Sequence, residues 1–326
     1  MIGREVFMSQ NIVEKLREEA IKNLFGTKGF IKAWSTWKNK ISELVPNRSA
    51  NQFFDLGDHL KEIFYTTNMS KVRIDGTRSQ SEVSGGGANW EALVCWYLNF
   101  CCIGRRTVVI KHNKNLVPDP ISNAITVNYG TFISNTESDL IAITFPDKVE
   151  YSMDKEKIVV NDEDGNVIQI KHRGKMNYNL KEVLNALVAR DFSEIEIHII
   201  QCKTNWNDNA QIPMLWDMIY SANNFKTNIT VGREGYSISN ARLFTYAFAT
   251  VPTVKVDTIK RNSAPVLRVS NLSGGNYWGM QSVSGIASSM KEMLSRNLSN
   301  GANSSHKTTL ASELPKLSSI YDYFGI

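Results

Sequence analysis

Five residues in the middle of the chain have the chemical types needed to bind a divalent cation beside a phosphate group. Asp139 opens one apolar segment, Glu91 lies in a helix-like segment before it, and Gln201-Cys202-Lys203 closes a second apolar segment. Magnesium prefers carboxylate, amide and carbonyl oxygens as ligands. A lysine beside such a cation can hold both the attacking water and the phosphate. These residue types therefore point to metal-dependent phosphodiester hydrolysis.

The spacing within Gln201-Cys202-Lys203 predicts which groups face the same way. On a β-strand, residues i and i+2 share a face, and the residue between them points to the other face. The Gln201 amide and the Lys203 ammonium should therefore lie side by side, while Cys202 offers its backbone carbonyl. The residues just before them, "IEIHII" at 195–200, are mostly apolar, as in a largely buried strand.

This arrangement resembles the PD-(D/E)xK nuclease superfamily, which includes most type II restriction endonucleases. In that family an Asp opens one strand, an [E/Q]xK tripeptide lies on the neighbouring strand, and a Glu on the preceding helix often completes the site. The resemblance implies that Asp139, Glu91, Gln201 and the Cys202 carbonyl bind Mg²⁺, with Mn²⁺ as a substitute. It also implies that Lys203 is the catalytic lysine.

The resemblance covers roughly residues 85–225 and departs from the family's pattern in two ways. Gln201 stands where an acidic residue is commoner, which leaves more of the cation's charge to the carboxylates. The stretch from Asp139 to Gln201 is longer than a short hairpin, so an insertion at about 147–192 is expected between the two strands. Asp119 and Asp147, each preceded by a proline, are alternatives to Asp139 as the metal ligand.

The elements that must position these residues follow from apolar periodicity and turn signals. Helices are predicted over residues 9–25, 29–45, 52–65, 89–103, 179–192, 207–222 and 284–298. In the fourth of these, Asn89 is the candidate N-cap and residues 85–87, three glycines, form a flexible entry. Strands are predicted over residues 106–112, 138–145, 195–203, 229–233, 242–251 and 266–270, with a hairpin at 157–171 around Asp164-Gly165.

Helices and strands alternate along the chain, so the expected class is α/β with a central mixed β-sheet flanked by helices and an N-terminal helical region. The resemblance implies a restriction-endonuclease-like core. Three regions are predicted: an N-terminal helical region at 1–84, a nuclease core at 85–270, and a C-terminal helical and tail region at 271–326. Residues 299–309, rich in Ser and Asn, are expected to be a linker or a frayed segment.

Two groups of residues predict double-stranded DNA as the partner. Asn205, Asn207, Asn209 and Gln211 surround Trp206 just after the long strand, and such amides can bond adenine edges or phosphates. An ordinary polar loop that caps the next helix is the alternative. A second group could line a phosphate groove or form a solvated basic surface: Lys71, Arg73, Arg78, Arg105, Arg106, Lys111 and Lys114.

Composition agrees with an intracellular globular protein of mildly basic charge. The 326 residues are 42% hydrophobic and 21% charged, with a net charge of +5. Four cysteines without CxxC spacing argue against a disulfide framework or a zinc site. No secretory signal is visible and no window reaches the roughly 20 apolar residues of a membrane span. We therefore expect a cytoplasmic protein without a membrane partner.

Together these expectations describe a magnesium-dependent, sequence-specific DNA endonuclease, namely a type II restriction enzyme. Because cleaving both strands of a symmetric site usually takes two active sites, a homodimer is expected. One alternative is a structure-directed nuclease of repair, recombination or phage origin. The other is a catalytically inactive DNA-binding protein on the same fold.

Overall fold

A computed structural model describes residues 10–68, 80–134, 138–172, 177–204, 211–222, 224–225, 229–251, 260–277 and 289–326. The helices are α1 (Ile12–Phe25), α2 (Lys28–Leu44), α3 (Ala50–Asp55), α4 (Leu60–Asn68), α5 (Gln80–Cys101), α6 (Asp119–Ala124), α7 (Val149–Ser152), α8 (Leu180–Asp191), α9 (Gln211–Ala222), α10 (Ala264–Ser270), α11 (Met290–Arg296) and α12 (His306–Glu313). The strands are β1 (Thr107–Lys111), β2 (Val127–Tyr129), β3 (Phe132–Ser134), β4 (Leu140–Thr144), β5 (Glu196–Lys203), β6 (Asn224–Phe225), β7 (Ile229–Val231), β8 (Leu243–Thr250) and β9 (Asn276–Tyr277).

The central sheet has the strand order β1-β4-β5-β8-β9 and is mixed. β4 runs antiparallel to both β1 and β5, whereas β8 runs parallel to β5 and β9. All five residues of β4 are buried, as are the first seven of β5. Burial on both faces explains the apolar residues of β4 and the isoleucines of β5, whereas Glu196, His198 and Gln201 are buried polar residues of β5. The expected α/β class with a mixed sheet flanked by helices is confirmed. A second, antiparallel sheet has the order β3-β2-β7-β6.

Helices cover both faces of the central sheet, and side chains alternate between the two cores along each strand. In β5, Ile200 and Cys202 join the core formed with α2 to α5, α11 and α12. Ile197 and Ile199 join the core formed with α6, α8, α9 and α10. The N-terminal and C-terminal helices thus share one core with α5. The division into three regions at residues 84 and 270 stays a prediction.

A buried ion pair fixes α1 against the start of β1. Arg17 is fully buried, and its Nε lies 2.9 Å from Glu14 Oε2. Its two terminal nitrogens donate to the carbonyls of Thr107, at 2.8 Å, and Arg105, at 2.7 Å. The Glu14 carboxylate also accepts from the Gly104 amide at 3.1 Å. Each charge is therefore matched inside the core, where an unpaired one would be costly.

Two predicted elements near the C-terminus are wrong. Residues 266–270 form part of α10 rather than a strand. Ser263 is at the N-cap position without a side-chain cap bond, and Pro265 lies in the first turn, where proline favours a helix start. Residues 299–309 are packed rather than a linker. Ser305 caps α12 through Thr308 N, and the Gly301 carbonyl accepts from Arg106 N at 2.8 Å.

Three other boundaries differ from the prediction. α5 begins at Gln80, so the glycines at 85–87 lie inside the helix and Asn89 is not its cap. The helix expected at 52–65 is divided by a 3-10 turn at Leu56–Asp58. At 157–171 the turn at Gly165 forms, but the pairing is reduced to an isolated bridge between Asn161 and Val167. The expected insertion between β4 and β5 contains α7 and α8.

Two further features concern the cysteines and the lengths of the helices. All four cysteines are buried and free. Among the helices of the described ranges, none is long and apolar enough to cross a bilayer.

Candidate metal centre

The antiparallel pairing of β4 with β5 brings Asp139 to the end of β5. The last registered pair is Leu140 with Ile200, so Asp139 lies one position further along, beside Gln201. The Cys202 backbone N–H donates to Asp139 Oδ2 at 2.6 Å, and Lys203 Nζ lies 3.6 Å from the same oxygen. Both side chains are about one fifth to one quarter exposed (18% and 25%), so the pair is reachable from solvent.

The two alternative aspartates pair with other cations. Asp147 follows the opposite end of β4 and pairs with Arg106 at 3.1 Å, with 66% of its side chain exposed. Asp119 begins α6 and pairs with Lys181 at 2.8 Å. Asp147 is thus at the opposite edge of the sheet, and Asp119 is held by a lysine of α8. Of the three candidate aspartates, Asp139 is the one that the fold places beside Lys203.

Glu91 reaches the same sheet edge from α5. The indole N–H of its neighbour Trp90 donates to the Ala249 carbonyl of β8 at 3.2 Å, which anchors this part of the helix on the sheet. Glu91 Oε2 lies 3.1 Å from Lys111 Nζ, at the end of β1, and this ammonium also donates to the Ala88 carbonyl at 3.0 Å. Because α5 begins at Gln80, Glu91 lies in the middle of the helix and not in its first turn.

Two nearby carboxylates affect the pKa of the Cys202 thiol. Burial raises the pKa of the Cys202 thiol well above its ordinary value, and the nearby carboxylates of Asp139 and Glu91 raise it further. The Lys203 ammonium acts in the opposite direction. Asp139, Glu91 and Lys203 are therefore all close enough to affect the Cys202 thiol, and Lys111 pairs with Glu91.

Gln201 differs from these charged groups because it is completely buried. Alternation places its side chain on the face of β5 that carries Ile199, the same face as Lys203. Its Oε1 accepts a hydrogen bond from the Tyr246 hydroxyl at 3.1 Å. Its Nε2 has no hydrogen-bond partner among the residues that the structure describes.

The donor set at this edge suits magnesium better than a softer metal. The described part of the chain contains no group of three or more His, Cys, Asp or Glu side chains that could hold a metal. Two carboxylates, an amide and a backbone carbonyl are oxygen donors, and magnesium commonly takes one or two carboxylates and keeps several waters. Two buried polar atoms at this edge have no partner among the described residues: Gln201 Nε2, and Oγ1 of Thr250, which is in register with Lys203. Asp139, Glu91, Gln201 and the Cys202 carbonyl thus carry oxygen donors of the type that magnesium takes.

The predicted DNA-contacting residues are only partly described. Gln211 is exposed at the start of α9. Asn205, Trp206, Asn207 and Asn209 lie outside the described residues, as do Lys71, Arg73 and Arg78.

Two residues of the predicted basic group have structural partners. The expectation that Arg105 lines a phosphate groove is wrong, since it is 2% exposed and donates to the Ser304 carbonyl at 2.6 Å. Lys111 holds Glu91. Both roles depend on distant segments meeting in space, so a count of basic residues along the sequence does not reveal them.

Tyr246 is the residue of this site that the sequence reasoning did not single out. It lies on β8, and it reaches Gln201 because β8 runs parallel to β5 with Tyr246 opposite Ile199. A tyrosine in an apolar strand carries no signal of such a contact.

No model of a known protein family matches the chain, and no curated protein matches it. The resemblance to PD-(D/E)xK nucleases therefore stays a prediction from the residues.

Proposed function

We propose that this protein is a magnesium-dependent endonuclease that hydrolyses phosphodiester bonds in double-stranded DNA, in the manner of a type II restriction enzyme. One observation carries the proposal. Asp139 and Lys203, singled out from their positions in two separate apolar segments, lie 3.6 Å apart at one sheet edge, next to the Cys202 backbone. Glu91 reaches the same edge from the preceding helix.

Each residue has a task that follows from its position. Asp139 and Glu91 would hold the cation, with the Gln201 oxygen and the Cys202 carbonyl completing the protein ligands. When bound, magnesium neutralises developing charge on the phosphate and lowers the pKa of a bound water. Lys203 lies 3.6 Å from Asp139, is a quarter exposed and can orient the attacking water against the scissile phosphate.

Lys111 sets a condition on this mechanism. Its ammonium pairs with Glu91 at 3.1 Å, so a cation must share or replace that partner before Glu91 can serve as a ligand. Asp139 is likewise paired with Lys203 at 3.6 Å. Because both pairs are partly exposed, each is worth at most about 1 kcal/mol and can rearrange. A divalent cation supplies more charge than either ammonium.

The DNA-facing part of the proposal rests on composition and on symmetry. The net charge of +5 favours approach to a polyanion. The Asn- and Trp-containing stretch after β5, at 205–211, adjoins Lys203 in the sequence and is the proposed contact to base edges. Cutting both strands of a symmetric site would take two copies of the site, so we propose a homodimer.

A DNA-binding protein without nuclease activity is the second candidate, and one observation favours it. The Gln201 amide is buried and its oxygen is engaged by Tyr246, in a position where the family usually has a carboxylate. A site that stayed in this arrangement would bind a divalent cation weakly. DNA binding without cleavage would then be the activity.

Digestion of unmethylated phage DNA with Mg²⁺ separates these candidates. The wild type is compared with Lys203→Met and with the matched control Lys171→Met, which removes an exposed lysine paired with Glu156 at 3.0 Å. We expect discrete bands from the wild type and the control, and a loss of at least about 100-fold in rate with Lys203→Met. A smear that disappears in Lys203→Met would favour a structure-directed nuclease. Intact DNA with undiminished gel-shift binding in all three proteins would contradict the proposed hydrolysis.

A further inference from the structure

The Gln201 side chain has one satisfied and one unsatisfied end. The Tyr246 hydroxyl donates to its Oε1 at 3.1 Å, while its Nε2 is buried with no partner among the described residues. The whole residue is 0% exposed. An amide NH₂ has two donors, and leaving both unmade inside a protein destabilises the fold.

An apolar residue would suit this position better if packing were its only role. Ile197 and Ile199 precede Gln201 on the same face of β5 and belong to the core on that side. A methionine has nearly the same length and no polar atoms to satisfy. Buried polar groups that lack a partner need an explanation, and a ligand or ion is one.

The amide can present either end to the same space. A half-turn about the last side-chain bond exchanges Oε1 and Nε2 with almost no change in shape. In the turned state Nε2 donates to the Tyr246 hydroxyl, which can accept as well as donate. The oxygen then occupies the side that now has no partner. Gln201 itself lies on the strand face that carries Lys203, and the β4–β5 register places it beside Asp139.

We propose that Tyr246 is a positioning residue, whose hydroxyl holds the Gln201 amide with its oxygen directed at a divalent cation held by Asp139. The inference rests on the proposed function and adds a residue to it. The hydroxyl makes up for the neutral ligand at position 201: once the oxygen has turned toward the cation, the hydroxyl accepts from the NH₂ group and holds the amide in that orientation. A carboxylate there would need no such help, because both of its oxygens are ligands.

Titration with Mn²⁺ alone, followed by the electron paramagnetic resonance of the free ion, tests this in the full chain. We expect Tyr246→Phe to weaken Mn²⁺ binding about 10–100-fold, the usual effect of removing a partner that orients a ligand. In a Gln201→Glu background the same substitution should weaken binding less than about threefold. The difference between the two backgrounds is the signature of amide orientation, which a general packing defect would not produce.

Tyr220→Phe is the matched control. Tyr220 is buried, its ring lies 6.0 Å from that of Tyr246, and its hydroxyl donates to the Ile125 carbonyl rather than to Gln201. We expect its Mn²⁺ affinity to equal that of the wild type. Gln201→Met should lose the site while its urea midpoint stays at or above the wild-type value, since the unpaired NH₂ is gone.

Three results would overturn the inference. If the wild type binds Mn²⁺ and cleaves DNA while Tyr246→Phe binds as tightly, the positioning role fails and the proposed function stands. Equal weakening by Tyr246→Phe in the Gln and Glu backgrounds, or equal weakening by Tyr220→Phe, would assign the hydroxyl to packing. If the wild type binds no Mn²⁺ at all, the proposed function fails and the inference fails with it.

Discussion

Substitution of Asp139 by Ala and by Asn should have clearly different effects on stability. Two described contacts of the Asp139 carboxylate matter here: it accepts a hydrogen bond from the Cys202 N–H at 2.6 Å, and it pairs with Lys203 at 3.6 Å. Ala removes both interactions and leaves the Cys202 N–H without its acceptor. Asn keeps an acceptor oxygen of the same reach and removes only the charge.

The magnitudes follow from these contacts. A hydrogen bond to a charged group contributes about 1.5–3 kcal/mol, and an unsatisfied buried donor costs a similar amount. The ion pair joins side chains that are 18% and 25% exposed, so it adds about 0–1 kcal/mol. We therefore expect Asp139→Ala to lower the free energy of unfolding by about 2–3 kcal/mol. For Asp139→Asn we expect a loss of about 1 kcal/mol or less.

Urea unfolding followed by circular dichroism measures both values, provided that the slope with denaturant is unchanged. Gel filtration of each variant checks that the comparison is made between folded proteins. If Ala and Asn lower the free energy of unfolding equally, the Cys202 N–H does not hold Asp139 in place and the reasoning is refuted.

Three further outcomes are expected. Gly86→Ala should raise the free energy of unfolding by about 0.5–1 kcal/mol, because Gly86 lies inside α5 with open space where a Cβ would stand; a urea midpoint at or below that of the wild type would contradict this. Arg17→Met should lower the free energy of unfolding by about 3–5 kcal/mol, because it leaves Glu14 buried without its cation. Adding Glu14→Gln to this variant should restore part of the loss in the same assay. Burial, with the Arg105 charge nearby, lowers the pKa of His306 to about 3 from an ordinary 6.5. Between these pH values the unfolded chain binds more protons than the folded chain, so the free energy of unfolding falls as the pH drops. His306→Gln should remove up to about 1.4 kcal/mol per pH unit from this slope, measured by urea unfolding at pH 4 to 7, and an unchanged slope would contradict the assignment.

The sequence was most informative about β4 and β5, where burial on both faces decides the structure. β4 is apolar apart from Thr144, and β5 carries Ile197, Ile199 and Ile200, because both faces of these strands are buried; this pattern is visible without knowing the fold. The polar residues at their ends therefore stood out. Antiparallel pairing then brings Asp139 and Lys203 to the same edge.

Local patterns misled where tertiary packing or capping competed with them. The glycines at 85–87 looked like a helix boundary, yet α5 passes through them and places Glu91 in its middle. Alternation at 266–270 looked like a strand, although Ser263 and Pro265 start a helix there. Propensity is a weak indication that such contacts override.

The partners of the site residues could not be predicted, because they come from remote parts of the chain. Arg105 stands in a basic stretch, but the backbone of the C-terminal segment surrounds its guanidinium. Tyr246 reaches Gln201 only through the parallel register of β8 with β5. Neither contact leaves a pattern in a single sequence.

Cleavage of unmethylated phage DNA with Mg²⁺ by three Asp→Asn variants tests the central claim most directly. Asp139→Asn, Asp119→Asn and Asp147→Asn each remove one negative charge from a carboxylate that pairs with a cation, but only Asp139 lies beside Lys203. We expect Asp139→Asn to lose cleavage while the other two cut as the wild type does. Loss of cleavage in Asp119→Asn or Asp147→Asn, with Asp139→Asn still active, would place the metal elsewhere and contradict the account.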